Sequence, residues 1–156
     1  MKALKALFLF LAMMYAGNSY AQTKEETISW LKEKLTKNIE ISSIRGKVES
    51  IKVLAIDECS ITVGYTKIYT DNSEVWTETL PTHDISEADI HGGWRFKYPA
   101  EVVRRKLTRL PRGTEEHFNT HMTTFSIREV EIDLRSRILK AIKHLATFCE
   151  KKKETF

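Results

Sequence analysis

The spacing of apolar residues changes twice along this chain, and the two changes divide it into a helix, a run of strands and a second helix. Apolar residues recur at helical spacing from Ile28 to Leu35, behind the capping-box pattern of Thr23–Glu26. This predicts a helix over about residues 24–37. From Lys47 to Phe125 apolar and polar residues mostly alternate, as in half-buried strands, which predicts six or seven short antiparallel strands.

The end of the chain has the longest helical pattern. Ser126–Glu129 has the spacing of a second capping box and predicts the start of a helix there. The apolar stripe of this helix is Ile127, Val130, Leu134, Ile138, Ala141, Ile142, Leu145, Phe148 and Cys149. Lys151–Lys153 would suit its negative pole. The predicted fold class is α+β: an N-terminal helix, an antiparallel meander forming a bent sheet or barrel, and a long C-terminal amphipathic helix.

The first residues predict export. Two lysines precede an uncharged apolar run, Leu7–Ala16, and small residues stand before a cleavage site at Gln22. The run is shorter than the ~20 residues that span a bilayer comfortably. We therefore assign residues 1–21 to a signal peptide and residues 22–156 to a single domain without a membrane span. The predicted location is the periplasm or the extracellular space.

Two cysteines, Cys59 and Cys149, lie in the mature part of the chain. In an exported protein, two cysteines and no others are most simply explained as one disulfide, and both residues lie on apolar faces of their predicted elements. Closing a loop this long stabilises by roughly 4 kcal/mol through the entropy of the unfolded chain. The alternative is two buried free thiols. A catalytic thiol is disfavoured because neither cysteine has a C-x-x-C partner or an adjacent histidine.

The alternating segment Lys47–Phe125, followed by the stripe Ile127–Cys149, resembles pleckstrin-homology-like domains. The resemblance implies a bent antiparallel barrel or sandwich whose open end is covered by the C-terminal helix. Members that bind phosphoinositides are expected to carry basic residues in the first hairpin, where this chain has the acidic pair Asp57-Glu58. Lipid-headgroup binding is therefore not transferred, and the fold by itself implies no function.

Three further segments resemble small exported proteins of Bacteroidota. They are the end of the signal peptide, Tyr20-Ala21-Gln22, the helix Thr23–Leu35 and the ending Lys140–Leu145. This resemblance supports export and carries no activity with it.

No catalytic or cofactor motif is present. The chain lacks the Gly-x-Ser-x-Gly turn of serine hydrolases and a glycine-rich phosphate loop. On a strand, His117 and His121 would lie ~13 Å apart, too far for one metal ion. The acidic loop Asp84–His91 lacks the ligand spacing of a calcium loop. We predict no enzyme, no cofactor and no metal site; the alternative is a small hydrolase that uses His83, His91 or His117 with nearby carboxylates.

The densest positive patch is the candidate binding site: Arg104, Arg105, Lys106, Arg109 and Arg112. On a strand, Arg104 and Lys106 would share one face, with Arg105 and Arg109 on the other. The patch could contact an anionic surface, a polysaccharide or an acidic partner. The alternative is an edge strand protected from aggregation by its charge. The loop Pro81–Gly93 is the second candidate contact surface.

Nucleic acid is not a predicted partner. The formal net charge is +4, and two of the lysines lie in the predicted signal peptide, so the mature excess is small. Trp94–Tyr98 interleaves aromatic and basic residues, which would suit single-stranded nucleic acid or sugar, but a half-buried strand requires the same alternation. The predicted function is non-enzymatic binding to an envelope or protein partner. A lipid-like ligand carrier is the alternative that stays open.

Overall fold

A computed structural model describes residues 23–41, 46–90 and 93–149. In this part of the chain the elements are α1 Lys24–Asn38, β1 Ile39–Glu40, β2 Lys47–Ile56, β3 Ser60–Ile68, β4 Ser73–Pro81, β5 Ser86–Ile90, β6 Gly93–Lys97, β7 Val103–Leu110, β8 Thr114–Thr120, β9 Ser126–Ile127 and α2 Leu134–Ala146. The predicted signal peptide, its cleavage site, His91 and Lys151–Lys153 lie outside the described residues.

Helix α1 begins where the sequence predicts. Thr23 Oγ1 accepts a hydrogen bond from the Glu26 amide at 3.2 Å, and the Glu26 carboxylate accepts one from the Thr23 amide at 2.9 Å. Both bonds satisfy amides that the start of a helix leaves without partners. Leu31 and Leu35 are buried in the core. The predicted amphipathic helix is confirmed.

Five strands form an antiparallel sheet in the order β2-β3-β4-β7-β8. Alternate residues of each strand lie on opposite faces. The inner face contributes Ile61, Val63, Leu80 and Val103 to the core, where they pack with residues of both helices. The edge strands β2 and β8 do not pair with each other in the described part of the chain, so the sheet is open and does not close into a barrel.

The predicted meander is interrupted in its middle. β4 pairs directly with β7, while β5 and β6 pair with each other as a separate two-stranded sheet. Trp94, Phe96 and Tyr98 at β6 are buried, and Lys97 is exposed. The aromatic side of this strand therefore faces the core, as the half-buried-strand interpretation predicts.

The predicted start of the second helix is wrong. Ser126 and Ile127 form β9, which pairs with β1, and Ile127 is completely buried. Helix α2 begins only at Leu134, after Asp133 in a left-handed conformation (φ 58°) that makes no side-chain capping bond. A local capping pattern competes here with strand pairing, and pairing wins because it buries Ile127 and satisfies its backbone.

The later start of α2 also changes the predicted end of the last long strand and the predicted apolar stripe. The last long strand ends at Thr120, whereas the sequence predicts that it reaches Phe125. The apolar stripe of α2 is shorter than predicted, since Val130 is 58 % exposed and Phe148 is 39 % exposed. Its buried members within the helix are Leu134, Ile138, Ala141, Ile142 and Leu145.

A disulfide joins Cys59 and Cys149, with their Cα atoms 4.9 Å apart. It connects the turn between β2 and β3 to the residues that follow α2, across 90 residues of sequence. The predicted pairing is confirmed, and the free-thiol alternative is wrong.

Neither helix in the described part of the chain has the length and the apolar character that crossing a membrane requires.

Candidate binding surface

The five candidate cations lie on β7 and in the turn after it, which holds Arg112. β7 pairs with β4 on one side and with β8 on the other, so it is an interior strand. The alternative interpretation as an edge strand is therefore wrong. Arg104 and Lys106 lie on the outer face of the sheet, and Arg105 and Arg109 lie on the inner face, as the alternation predicts.

Arg105 is engaged in a buried ion pair. Its Nε lies 3.4 Å from the carboxylate of Glu78, whose side chain is 0 % exposed. The two groups form an ion pair, but the Nε–H is not aligned for a hydrogen bond. Its Nη2 donates to the Met122 carbonyl at 2.6 Å. Glu78 also accepts hydrogen bonds from the Tyr65 hydroxyl at 3.2 Å and the Thr124 amide at 3.0 Å. These bonds fasten the segment after β8 onto the inner face of the sheet.

Arg109 is also engaged by carboxylates. It pairs with Glu116 across β7 and β8, and its Nε lies 3.7 Å from Glu74 on β4. The hydrogen bond to Glu116 raises the pKa of Arg109. Beside this cluster, Lys67 Nζ lies 5.3 Å from the centre of the Trp76 ring, a cation–π distance. This end of the inner face is an ionic and aromatic layer whose charges are largely paired.

The outer face is a polar grid set by the register of the strands. One row across the sheet is Lys52, Gly64, Thr77, Lys106 and His117, and the next is Thr62, Thr79, Arg104 and Asn119. Lys106 pairs with Glu115 at 2.7 Å, and this hydrogen bond lowers the pKa of Glu115. Within the described residues, Arg104 and Arg112 form no ion pair.

Arg104 lies at a depression of about 280 Å³ on this side of the molecule. The other residues that line it are Asp57, Cys59, Ser60, Thr79, Pro81, His83 and Val102. The two surfaces predicted separately, the basic strand and the loop that begins at Pro81, therefore meet at one place, beside the disulfide. Lys106 and Arg112 do not line this depression.

The carboxylate in the depression is already satisfied. Asp57 accepts hydrogen bonds from the amides of Cys59 and Ser60 at 2.8 and 2.7 Å, and from the Ser60 hydroxyl at 3.0 Å. No hydrogen bond joins Ser60 to His83 among the residues that the structure describes. In the described part of the chain, the Ser60 hydroxyl donates to Asp57 and is not bonded to a histidine, as a nucleophilic serine would be. The chemistry that this arrangement favours is binding of an anionic or hydroxyl-bearing group.

The other histidines and loop carboxylates that the structure describes do not form a cluster. His117 lies on the outer face with Nε2 3.9 Å from Glu115, and Glu87 accepts a hydrogen bond from the Trp94 indole at 2.8 Å. Across residues 23–41, 46–90 and 93–149, no three His, Cys, Asp or Glu side chains come together as metal ligands.

The sequence contains one signal of this surface that the patch prediction did not use. Threonines stand at even spacings on β3 and β4, four residues apart at Thr62 and Thr66 and two apart at Thr77 and Thr79. Such spacing predicts one polar face, but only the register of three strands shows that this face also carries Arg104. That Arg104 and His83 line the same depression depends in addition on the path of the loop after β4, which the spacing does not predict.

Comparison of the chain with protein families, with curated proteins and with solved structures found no match.

Proposed function

We propose that the protein is an exported, non-enzymatic binding domain of the periplasm or cell envelope. It contacts an anionic partner, an envelope component or a protein, through the depression at Arg104. The predicted signal peptide supports export, and the Cys59–Cys149 disulfide is typical of proteins in oxidising compartments. The pleckstrin-homology-like resemblance stays a prediction of the sequence and contributes nothing to the choice of partner.

One observation carries the proposal: the Arg104 guanidinium, which has no ion pair among the described residues, lines the same depression as the loop residues Pro81 and His83. A guanidinium offers a rigid set of donors that suits carboxylate, phosphate or sulfate groups. The hydroxyls of Ser60 and Thr79 also line the depression, where they are already hydrogen-bonded to Asp57 and Thr62, so the charge that a ligand would meet comes from Arg104. Arg105 and Arg109 support this surface from the inner face and are not part of it.

A serine hydrolase at Ser60 is less favoured by the same geometry; the alternative that uses His83, His91 or His117 with nearby carboxylates stays a prediction. A serine hydrolase needs a hydroxyl bonded to a histidine, with a carboxylate on the far side of that histidine. Here the Ser60 hydroxyl donates directly to Asp57. The amides of Cys59 and Ser60, which could have stabilised an oxyanion, also donate to Asp57.

The test is retention of the full-length chain, with its signal sequence, in the washed envelope fraction of its own host. Arg104→Glu should lower retention by at least about fivefold, because charge reversal replaces attraction with repulsion. Lys97→Glu, an equal charge change at the exposed end of β6, is the matched control and should leave retention unchanged. Equal retention of Arg104→Glu and the wild type would disprove the proposed surface.

A second measurement distinguishes a binding domain from a carrier of a lipid-like ligand. Native mass spectrometry of protein purified from that envelope gives the mass of anything bound, and denaturing conditions give the mass of the chain alone. A co-purifying small molecule, with no protein partner recovered after crosslinking, would favour the carrier alternative. A bare mass with a protein partner recovered after crosslinking would favour the binding domain.

A further inference from the structure

A second cleft lies between α1 and α2. It has a volume of about 510 Å³ and is lined by Trp30, Arg137, Lys140, Ala141 and His144. This size falls within the range of small-molecule sites in proteins, about 300–1,000 Å³. The cleft shares no lining residue with the depression at Arg104.

The α2 side of the cleft follows from helical spacing. Arg137, Lys140, Ala141 and His144 are three or four positions apart, so their side chains share one face of the helix. Ala141 is 8 % exposed and is the small member of a stripe whose other members are leucine and isoleucine. Its short side chain leaves room between the helices that a leucine would fill.

The α1 side supplies a flat aromatic wall. Trp30 is half-buried and packs against the core, and the Arg137 guanidinium lies 5.4 Å from the centre of its ring. Arg137 Nη1 also lies 3.2 Å from Glu131, which in turn binds Lys34 of α1 at 2.6 Å. These contacts hold one cation of the cleft in place against the indole.

The charged residues that line the cleft are cations, and the carboxylate beside it, Glu131, is already paired with Arg137 and Lys34. Among the described residues, its lining includes two permanent cations, Arg137 and Lys140, together with His144, and no acidic side chain. Lys140 forms no ion pair within the described residues. The last turns of a helix carry the negative pole of its dipole, so attraction for an anion here comes from the side chains.

We propose that the cleft between α1 and α2 binds an amphipathic organic anion. The apolar body lies against Trp30 and Ala141, and the carboxylate or phosphate lies beside Lys140 and Arg137. Apolar walls with a few placed charges are the usual composition of a small-molecule site. The proposal stands on the helices alone, so it holds or fails independently of the surface at Arg104.

The test is titration calorimetry of the mature, oxidised chain with dodecanoate below its micelle concentration. Dodecanoate should bind at one site, and dodecyltrimethylammonium, of equal chain length and opposite charge, should not. Lys140→Glu should weaken dodecanoate binding by about fivefold or more, since it reverses the unpaired charge. Lys97→Glu, far from both helices in sequence, should bind like the wild type.

Trp30→Ala tests the apolar wall and should weaken binding by about tenfold. Because Trp30 packs on the core, thermal unfolding of this variant is measured alongside; if it does not fold, Lys140→Glu carries the test. Equal binding of dodecanoate to wild type and Lys140→Glu, or binding of the cationic probe with similar affinity, would overturn the proposal. So would binding to phosphatidylglycerol vesicles without any binding of free dodecanoate, which would assign the cleft to a membrane surface.

Discussion

Arg104 and Arg105 are adjacent in sequence and opposite in surroundings. Arg104 lies on the outer face of the sheet, beside threonine hydroxyls, with no ion pair in the described part of the chain. Arg105 lies on the inner face, paired with a fully buried carboxylate and bonded to the Met122 carbonyl. One is free to contact a partner, and the other holds the fold together.

The difference shows that a run of like charges is not one functional unit when it lies on a strand. Alternation sends successive cations to two environments with different solvation. On the inner face a cation must find partners, because an unpaired buried charge is costly. On the outer face water solvates it, and it stays available.

The largest expected effect is the loss of the buried pair. Arg105→Met leaves Glu78 buried without its cation, which should lower the free energy of unfolding by about 3–5 kcal/mol. Arg104→Met, the same change one residue earlier, should alter it by less than about 0.5 kcal/mol, because its side chain makes no comparable contact. Urea unfolding of the oxidised protein measures both values.

The double variant Glu78→Leu/Arg105→Met sharpens the result. Replacing both charges by apolar groups removes the orphaned carboxylate, so much of the lost stability should return. Equal losses for Arg104→Met and Arg105→Met would show that the two arginines do not differ in the way their contacts indicate.

The sequence predicts elements better than it predicts neighbours. The α1 capping box, the strand alternation and the disulfide all follow from local pattern or from the number of cysteines, and all are present. The start of α2 does not follow, because Ser126 and Ile127 have a partner strand nearly ninety positions away at β1. A local rule cannot include a competitor that only the tertiary fold provides.

The candidate surface divides in the same way. The alternation predicts which cations share a face of the sheet, and the structure confirms this arrangement. It does not predict that Glu78 lies beneath Arg105, since that contact depends on the register of β4 against β7. The meeting of Arg104 with His83, and the cleft between the helices, also depend on packing that no single segment encodes.

An intermediate effect tests the hydrogen bond beneath the sheet. Tyr65→Phe removes the hydroxyl that donates to Glu78 and should lower the free energy of unfolding by about 1 kcal/mol near neutral pH. Burial, and then the Glu78 charge, raise the pKa of Tyr65. The unfolded chain therefore loses this proton first as the pH rises past about 10, and the native state loses stability there.

The stability gap between wild type and Tyr65→Phe should accordingly narrow between pH 8 and about 11, as the wild type loses its advantage. Tyr98, whose pKa burial also raises, remains in both proteins, so both still become less stable in alkali. Urea unfolding across this pH range measures the gap. A gap that stays constant would mean that the Tyr65 phenol titrates alike in the folded and unfolded chains.

The smallest effect belongs to the outer face. The hydrogen bond from Lys106 lowers the pKa of Glu115, so its contribution is present above the usual glutamate value of 4.5 and is lost as the pH falls through the lower, native-state value. Lys106→Ala should therefore lower the free energy of unfolding only slightly at pH 7 and less still in 1 M salt. It should not change this free energy once Glu115 is protonated. The loss in Arg105→Met should persist in the same salt, because its partner is shielded from solvent and ions. If salt weakened the effects of both variants equally, the two faces of the sheet would be equally solvated, and the division of β7 into a solvated outer side, proposed for binding, and a structural inner side would fail.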